Sequence, residues 1–123
     1  MSSIRSYGTG AAKAVHALLQ LTQMDCGGSC AAAAVLLSAY NGHDYNLDIT
    51  ELCRLDQHYY QAAMRVIDLR CRLRIEPHLL IQNGDEVFQK LAADWPQLHV
   101  KYQSEPTTEL HYQEELSEEP SHD

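Results

Sequence analysis

Residues 31–37, Ala-Ala-Ala-Ala-Val-Leu-Leu, are small or aliphatic around a full helical circumference, so a helix built on them has no polar face to give to water. Such a helix is stable only at the centre of a bundle, where short side chains let neighbours approach closely. The segment before it, Asp25-Cys26-Gly27-Gly28-Ser29-Cys30, reads as a turn, with the paired glycines freeing the backbone and Ser29 capping the helix. Asn41-Gly42 is a stop signal at its far end. These features predict an all-α fold with this segment as its axis.

The helices that would surround it are marked by spacing and caps. Val15, Leu18, Leu19 and Thr22 share one face, predicting a helix over 11–23. Asp48 reads as an N-cap with Glu51 three positions on, and Leu47 and Leu52 stand where a hydrophobic staple would place them. From there Leu52, Leu55, Tyr59, Ala62, Val66, Leu69 and Leu73 keep one apolar seam at alternating spacings of three and four. The seam predicts either one long helix or, with Asp56 as a second cap, two; it is either internal or a homodimer interface. Residues 75–84 read as a loop or a short extended piece. Asp85 is the expected cap of a last helix with Val87, Phe88, Leu91, Ala92 and Trp95 on its buried stripe, ended by Pro96. Strand-like composition is confined to 79–81 and 98–102.

A chain of 123 residues has room for one core. The expected organisation is a flexible start over 1–10, a compact bundle of four to five helices over 11–102, and a tail over 103–123. The formal net charge of −8 belongs largely to that tail, which holds seven acidic residues and no Lys or Arg. With two prolines and few apolar residues, it is expected to be disordered. Its Glu109, Tyr112, Glu114 and Glu115 are the candidate contacts for a basic protein partner, such as a nucleic-acid-binding surface. Direct DNA binding is disfavoured, because phosphate contacts need a positive surface and the body is slightly acidic. Arg65, Arg70, Arg72 and Arg74 read as favourable charge at a helix C-terminus. No apolar run approaches the roughly 20 residues of a membrane span, and four sparse cysteines fit a reducing cytoplasm.

The segment from Gln20 to Cys30 also resembles, over about residues 20–42, the double-glycine leader peptidases, papain-like domains of bacteriocin exporters. That resemblance implies Gln20 as oxyanion donor and Cys26 as nucleophile, with His99 or His78 as base. The chemistry also needs a strand-borne histidine, and only 24 residues follow His99. The expectation is therefore no catalytic residue. Cys26, Cys30, Cys53, Cys71 and His58 offer no ligand spacing typical of zinc, and no metal or cofactor is expected.

A longer resemblance runs through about residues 14–98. Asp25-x-Gly27-x-Ser29, Leu36-Leu37, Asn41, Ile49-Thr50-Glu51-Leu52-x-x-Leu55-Asp56 and Val87-Phe88-x-x-Leu91-x-x-Asp94-Trp95 resemble a family of small uncharacterised bacterial proteins frequent on plasmids and integrative elements. Members tend to carry polar or basic residues after the serine and a tryptophan pair before the asparagine, where this chain has Cys30-Ala31 and Ala39-Tyr40. The resemblance implies a non-catalytic accessory factor of a mobile element that binds protein, and an anti-CRISPR-like inhibitor of host defence is one such role.

Overall fold

Cys26 adopts an extended conformation (φ −145°, ψ 174°), and the central helix, α2 (Gly27–Tyr40), starts directly after it. The computed structural model describes the backbone of residues 2–103 and the side chains of residues 10–102. Ala31 through Leu37 are all buried in α2, which packs against the helices before and after it. Its end is set by Asn41. The Asn41 amide donates to the Leu37 carbonyl at 2.8 Å, while its side-chain oxygen accepts from the amides of His43 and Asp44, both at 3.2 Å. The stop works through this side-chain turn rather than through a left-handed glycine, since no described glycine has a positive φ.

The first helix, α1 (Ser2–Thr22), buries Ala11, Ala14, Val15, Leu18, Leu21 and Thr22; of the face read from the spacing, Leu19 is only half-buried against the core. It begins well upstream of residue 11. The upstream residues carry no apolar period to announce a helix, yet extending an existing helix costs far less than nucleating one.

The long seam over 52–73 is divided. Residues Ile49–Arg54 form a 3₁₀ turn in which the Asp48 carboxylate accepts from the amide of Thr50 at 3.0 Å and its hydroxyl at 2.7 Å. Glu51 pairs with Arg54 at 3.4 Å and does not close a capping box. Leu55 is extended, and Asp56 caps a new helix, α3 (Gln57–Cys71), by accepting from the Tyr59 amide at 3.0 Å. The break turns Leu55 towards Gly28 at the start of α2. Ala62, Ala63, Val66 and Leu69 then face α1 and α2 in the common core.

Residues 79–81 are not extended into a strand: Pro77–Leu80 form a 3₁₀ turn, with Pro77 supplying the fixed φ of its first position. Leu79 points outward, while Leu80 and Ile81 lean on the core. Asp85 does not cap α4 (Gly84–Asp94). That position belongs to Asn83, held in the left-handed region at φ 57°, and Asp85 lies in the first turn near His78. Asn tolerates this conformation better than most residues. Gly84 follows because a Cβ there would stand 1.7 Å from the His78 carbonyl oxygen. Phe88 and Leu91 are buried, and Trp95 ends the helix ahead of Pro96.

Residues 96–98 make another 3₁₀ turn, and a short helix, α5 (Val100–Gln103), closes the described chain. The composition of 98–102 yields one isolated bridge, His99 to Tyr45, and there is no strand among the described residues. The result is an all-α arrangement. Among the described residues no helix is long and apolar enough to cross a membrane.

Candidate functional site

The corner between α1 and α2 carries the densest polar chemistry of the fold. Beyond Thr22 the chain tightens, with Gln23 and Met24 donating to the carbonyls of Gln20 and Leu21, both at 3.1 Å. Cys26 is then the N-cap of α2, so Ser29 is not the cap the sequence suggested. Both glycines lie inside the helix, which moves Ser29 to the third helical position. From there its buried hydroxyl accepts from the Cys26 amide at 3.3 Å and can turn its one proton to the carbonyl of Leu21, at 2.8 Å, to that of Met24, or to the Cys26 sulfur. One side chain thus ties the end of α1 to the start of α2. Gly28 lies close to its neighbours: a Cβ there would come to 3.4 Å from the Arg54 carbonyl and from Leu21, close to ordinary contact.

The geometry gives the two corner cysteines different characters. The Cys26 sulfur is exposed and lies 3.5 Å from the Ser29 hydroxyl. Hydrogen bonding from that hydroxyl, and next from the Gly28 amide, holds its pKa below the ordinary thiol value against the opposing charge of Asp25. Cys30 is half-buried one turn later. Burial, then the nearby Glu51 carboxylate, raises its pKa, with Arg54 opposing.

Both cysteines line a cleft of about 650 Å³, whose other walls include Met24, Arg54, Asp94 and Trp95. A second groove of about 420 Å³ shares Met24, Cys26, Gly27 and Arg54 with the first and extends over Leu55 and Tyr59. Arg54, Asp94 and Trp95 carry no local signal for this site. Trp95 reads from sequence as a core residue, and only the return of α4 to the corner brings it there.

The remaining candidates are dispersed. Gln20 does not line the cleft; Gln23 does. His99 packs edge-on against Tyr45, with ring centres 5.3 Å apart, and its Nε2 faces Asp44 at 3.7 Å. His78 packs edge-on against Tyr40 and Phe88, with its Nε2 3.5 Å from Asp85. Neither histidine lines the cleft, so the structure does not assemble a Cys26–histidine pair. Among the described residues no group of three or more His, Cys, Asp or Glu is placed to hold a metal ion.

Two of the arginines after Val66 serve helix ends. Arg70 donates to the Ala39 carbonyl in the last turn of α2 at 3.0 Å, and Arg72 clasps Asp68 with two bonds of 2.7 and 2.8 Å. The latter bond holds the Asp68 carboxyl below its usual range. Glu109, Tyr112, Glu114 and Glu115 lie outside the described residues.

Replacing Ser29 by Ala tests the corner in two ways. It removes the acceptor of the Cys26 amide and the hydroxyl that meets the Leu21 and Met24 carbonyls, and with it the largest influence lowering the Cys26 pKa. The expected cost is about 1–3 kcal/mol in urea denaturation. The pH midpoint for alkylation of Cys26 should also move up towards the ordinary thiol value. An unmoved midpoint would show that Ser29 does not tune the thiol.

Fold and site together define a small all-α protein with a thiol-bearing cleft at its first helix corner. Residues 12–96 match the DUF7673 family of unknown function, and the chain belongs to that family. The match runs from α1 to the end of α4 and includes every cleft residue named above. No curated protein and no solved structure matches the chain.

Proposed function

We propose that this protein acts by binding another protein, with the corner cleft as its docking groove, rather than by catalysis. The observation that carries the reading is the pair of adjoining grooves that meet at Met24, Cys26, Gly27 and Arg54. Met24 is 50% exposed at their junction, with Trp95 in one groove and Tyr59 in the other. Methionine adapts to irregular partners, and Trp, Tyr and Arg are the side chains most often found at the energetic centre of interfaces. An extended or helical segment of a partner suits such a surface.

A basic partner, such as the nucleic-acid-binding surface of another protein, fits the chain's net charge of −8. The resemblance noted in the sequence favours a mobile-element accessory factor working in the cytoplasm, with inhibition of a host defence complex as its action.

The test is affinity capture from the native host with the full chain and with Met24→Glu, Arg54→Glu and Leu79→Glu. Leu79 is 68% exposed and lines neither groove, so its variant is the surface control. A specific partner retained by Leu79→Glu and weakened about tenfold or more by the two cleft variants supports the reading, as expected for central interface residues. Equal retention by all three moves binding away from the cleft. Deleting 104–123 in parallel tests whether the acidic segment contributes.

The lowered pKa of Cys26 at a helix start favours a second reading, a cysteine peptidase of the double-glycine leader type. A thiol-directed peptide probe separates the two. Sequence-dependent labelling of Cys26 supports the peptidase, whereas a rate independent of the peptide sequence removes it.

A further inference from the structure

Cys26 and Cys30 open onto one cleft from successive turns of the same helix end, and neither is in a disulfide. We propose that they form a thiol–disulfide exchange site, in which Cys26 attacks an incoming low-molecular-weight or protein disulfide and Cys30 resolves the product into an internal Cys26–Cys30 bond.

The argument rests first on placement. Positions four apart on a helix have Cα atoms roughly 6 Å apart. That lies within the span a disulfide can bridge, although the aligned side chains must close further than an unstrained helix allows. Here the first of the two is the N-cap, whose extended backbone sends its side chain off the regular helical direction while its carbonyl still accepts from the Ser29 amide at 3.1 Å. The helix between them is Gly27-Gly28-Ser29. Gly27 has nothing within 4 Å of the position a Cβ would take, so the first turn has space to move.

The two thiols are also unequal in the sense exchange requires. Cys26 is exposed and its sulfur meets the Ser29 hydroxyl and the Gly28 amide, groups that stabilise a thiolate. Cys30 is half-buried behind it, sheltered from a bulky reagent yet in the same cleft as the Cys26 sulfur. An exposed attacking thiol followed by a shielded resolving thiol is the order in which a mixed disulfide forms and is then released. Cys53 and Cys71 are exposed but do not line the cleft.

The steps balance. The Cys26 thiolate attacks one sulfur of R–S–S–R, forming Cys26–S–S–R and expelling RS⁻, which takes up the proton Cys26 released. Cys30 then loses its proton and attacks the Cys26 sulfur, expelling the second RS⁻. Two electrons pass from the cysteine pair to the external disulfide, and two RSH leave. Closing the bond tightens the first turn of α2, and the resulting strain makes it readily reopened by reductant. The bond would also reshape the wall of the cleft, so partner binding there would follow redox state.

The test treats the reduced full chain with glutathione disulfide and locates the products by mass spectrometry with peptide fragmentation. The wild type should lose two hydrogens at Cys26 and Cys30 and hold no glutathione there. In Cys30→Ala, glutathione should accumulate on Cys26 at least about tenfold faster than on Cys71, as expected for a thiolate-stabilising site. In Cys26→Ser, Cys30 should stay unmodified. Dithiothreitol should reverse the wild-type product. Stable glutathione on Cys26 in the wild type, or an internal bond involving Cys53 or Cys71 instead, overturns the proposal. The wild-type mapping decides it even where a variant fails to fold.

Discussion

Gly84→Ala is expected to destabilise the protein by about 3 kcal/mol or more, the upper range for forcing extra volume into a packed site. The added Cβ would stand 1.7 Å from the His78 carbonyl oxygen, 2.6 Å from its carbonyl carbon and 3.0 Å from its Cα. All three atoms are backbone, so no side-chain rotation relieves the contact. The Pro77–Leu80 turn and the start of α4 must separate, and that seam holds His78 against Phe88. Gly27→Ala is the matched control, since nothing lies within 4 Å of its added methyl. As an exposed position at the start of α2, it should leave stability unchanged or raise it by up to about 1 kcal/mol through a less flexible unfolded chain. Chemical denaturation of the two variants checks the pair. A Gly84→Ala protein as stable as wild type would mean that the turn and α4 do not meet as closely as described.

The contrast between these glycines shows where sequence reading is strong and where it stops. Composition alone places α2 at the centre, because four successive alanines followed by Val35, Leu36 and Leu37 leave no solvated face. Caps that act within their own segment are equally legible. Asp56 restarts a helix through its own side chain, and Asn41 ends one in the same way. What the sequence cannot announce is contact between distant segments. Asn83-Gly84 reads as turn chemistry, but glycine is required there by the His78 backbone, and Asp85, which looked like the better cap, is displaced by a left-handed Asn83. The apolar run at 79–81 has strand composition, yet Pro77 and the absence of a partner strand among the described residues leave it in a 3₁₀ turn. The cleft follows the same logic. Cys26, Gly28 and Ser29 stand together in the chain and could be picked out, whereas Arg54, Asp94 and Trp95 reach the corner only through the packing of two later segments, the 49–54 turn and the end of α4.

Phe88→Ala should produce the other large effect, a loss of about 3–5 kcal/mol in urea denaturation. Phe88 is the chain's single phenylalanine and is fully buried. Its ring lies 5.0 Å from that of Tyr40 at the end of α2 and 6.4 Å from His78, so it joins α4 both to the central helix and to the turn before it. Truncation removes the transfer energy of the ring and leaves a void between elements that Gly84 already holds in tight contact, which limits collapse. For a domain of this size the loss corresponds to roughly 15–30 °C in Tm. Since natural domains hold only about 5–15 kcal/mol in total, the variant should be partly unfolded near physiological temperature. Phe88→Leu, which keeps most of the volume but not the ring contacts, should lose less than half as much. Because α4 also delivers Asp94 and Trp95 to the corner, Phe88→Ala should raise the alkylation rate of Cys30 by opening the cleft, while Phe88→Leu leaves it near wild type. Equal Cys30 protection in both variants would show that the cleft forms without α4 held in place.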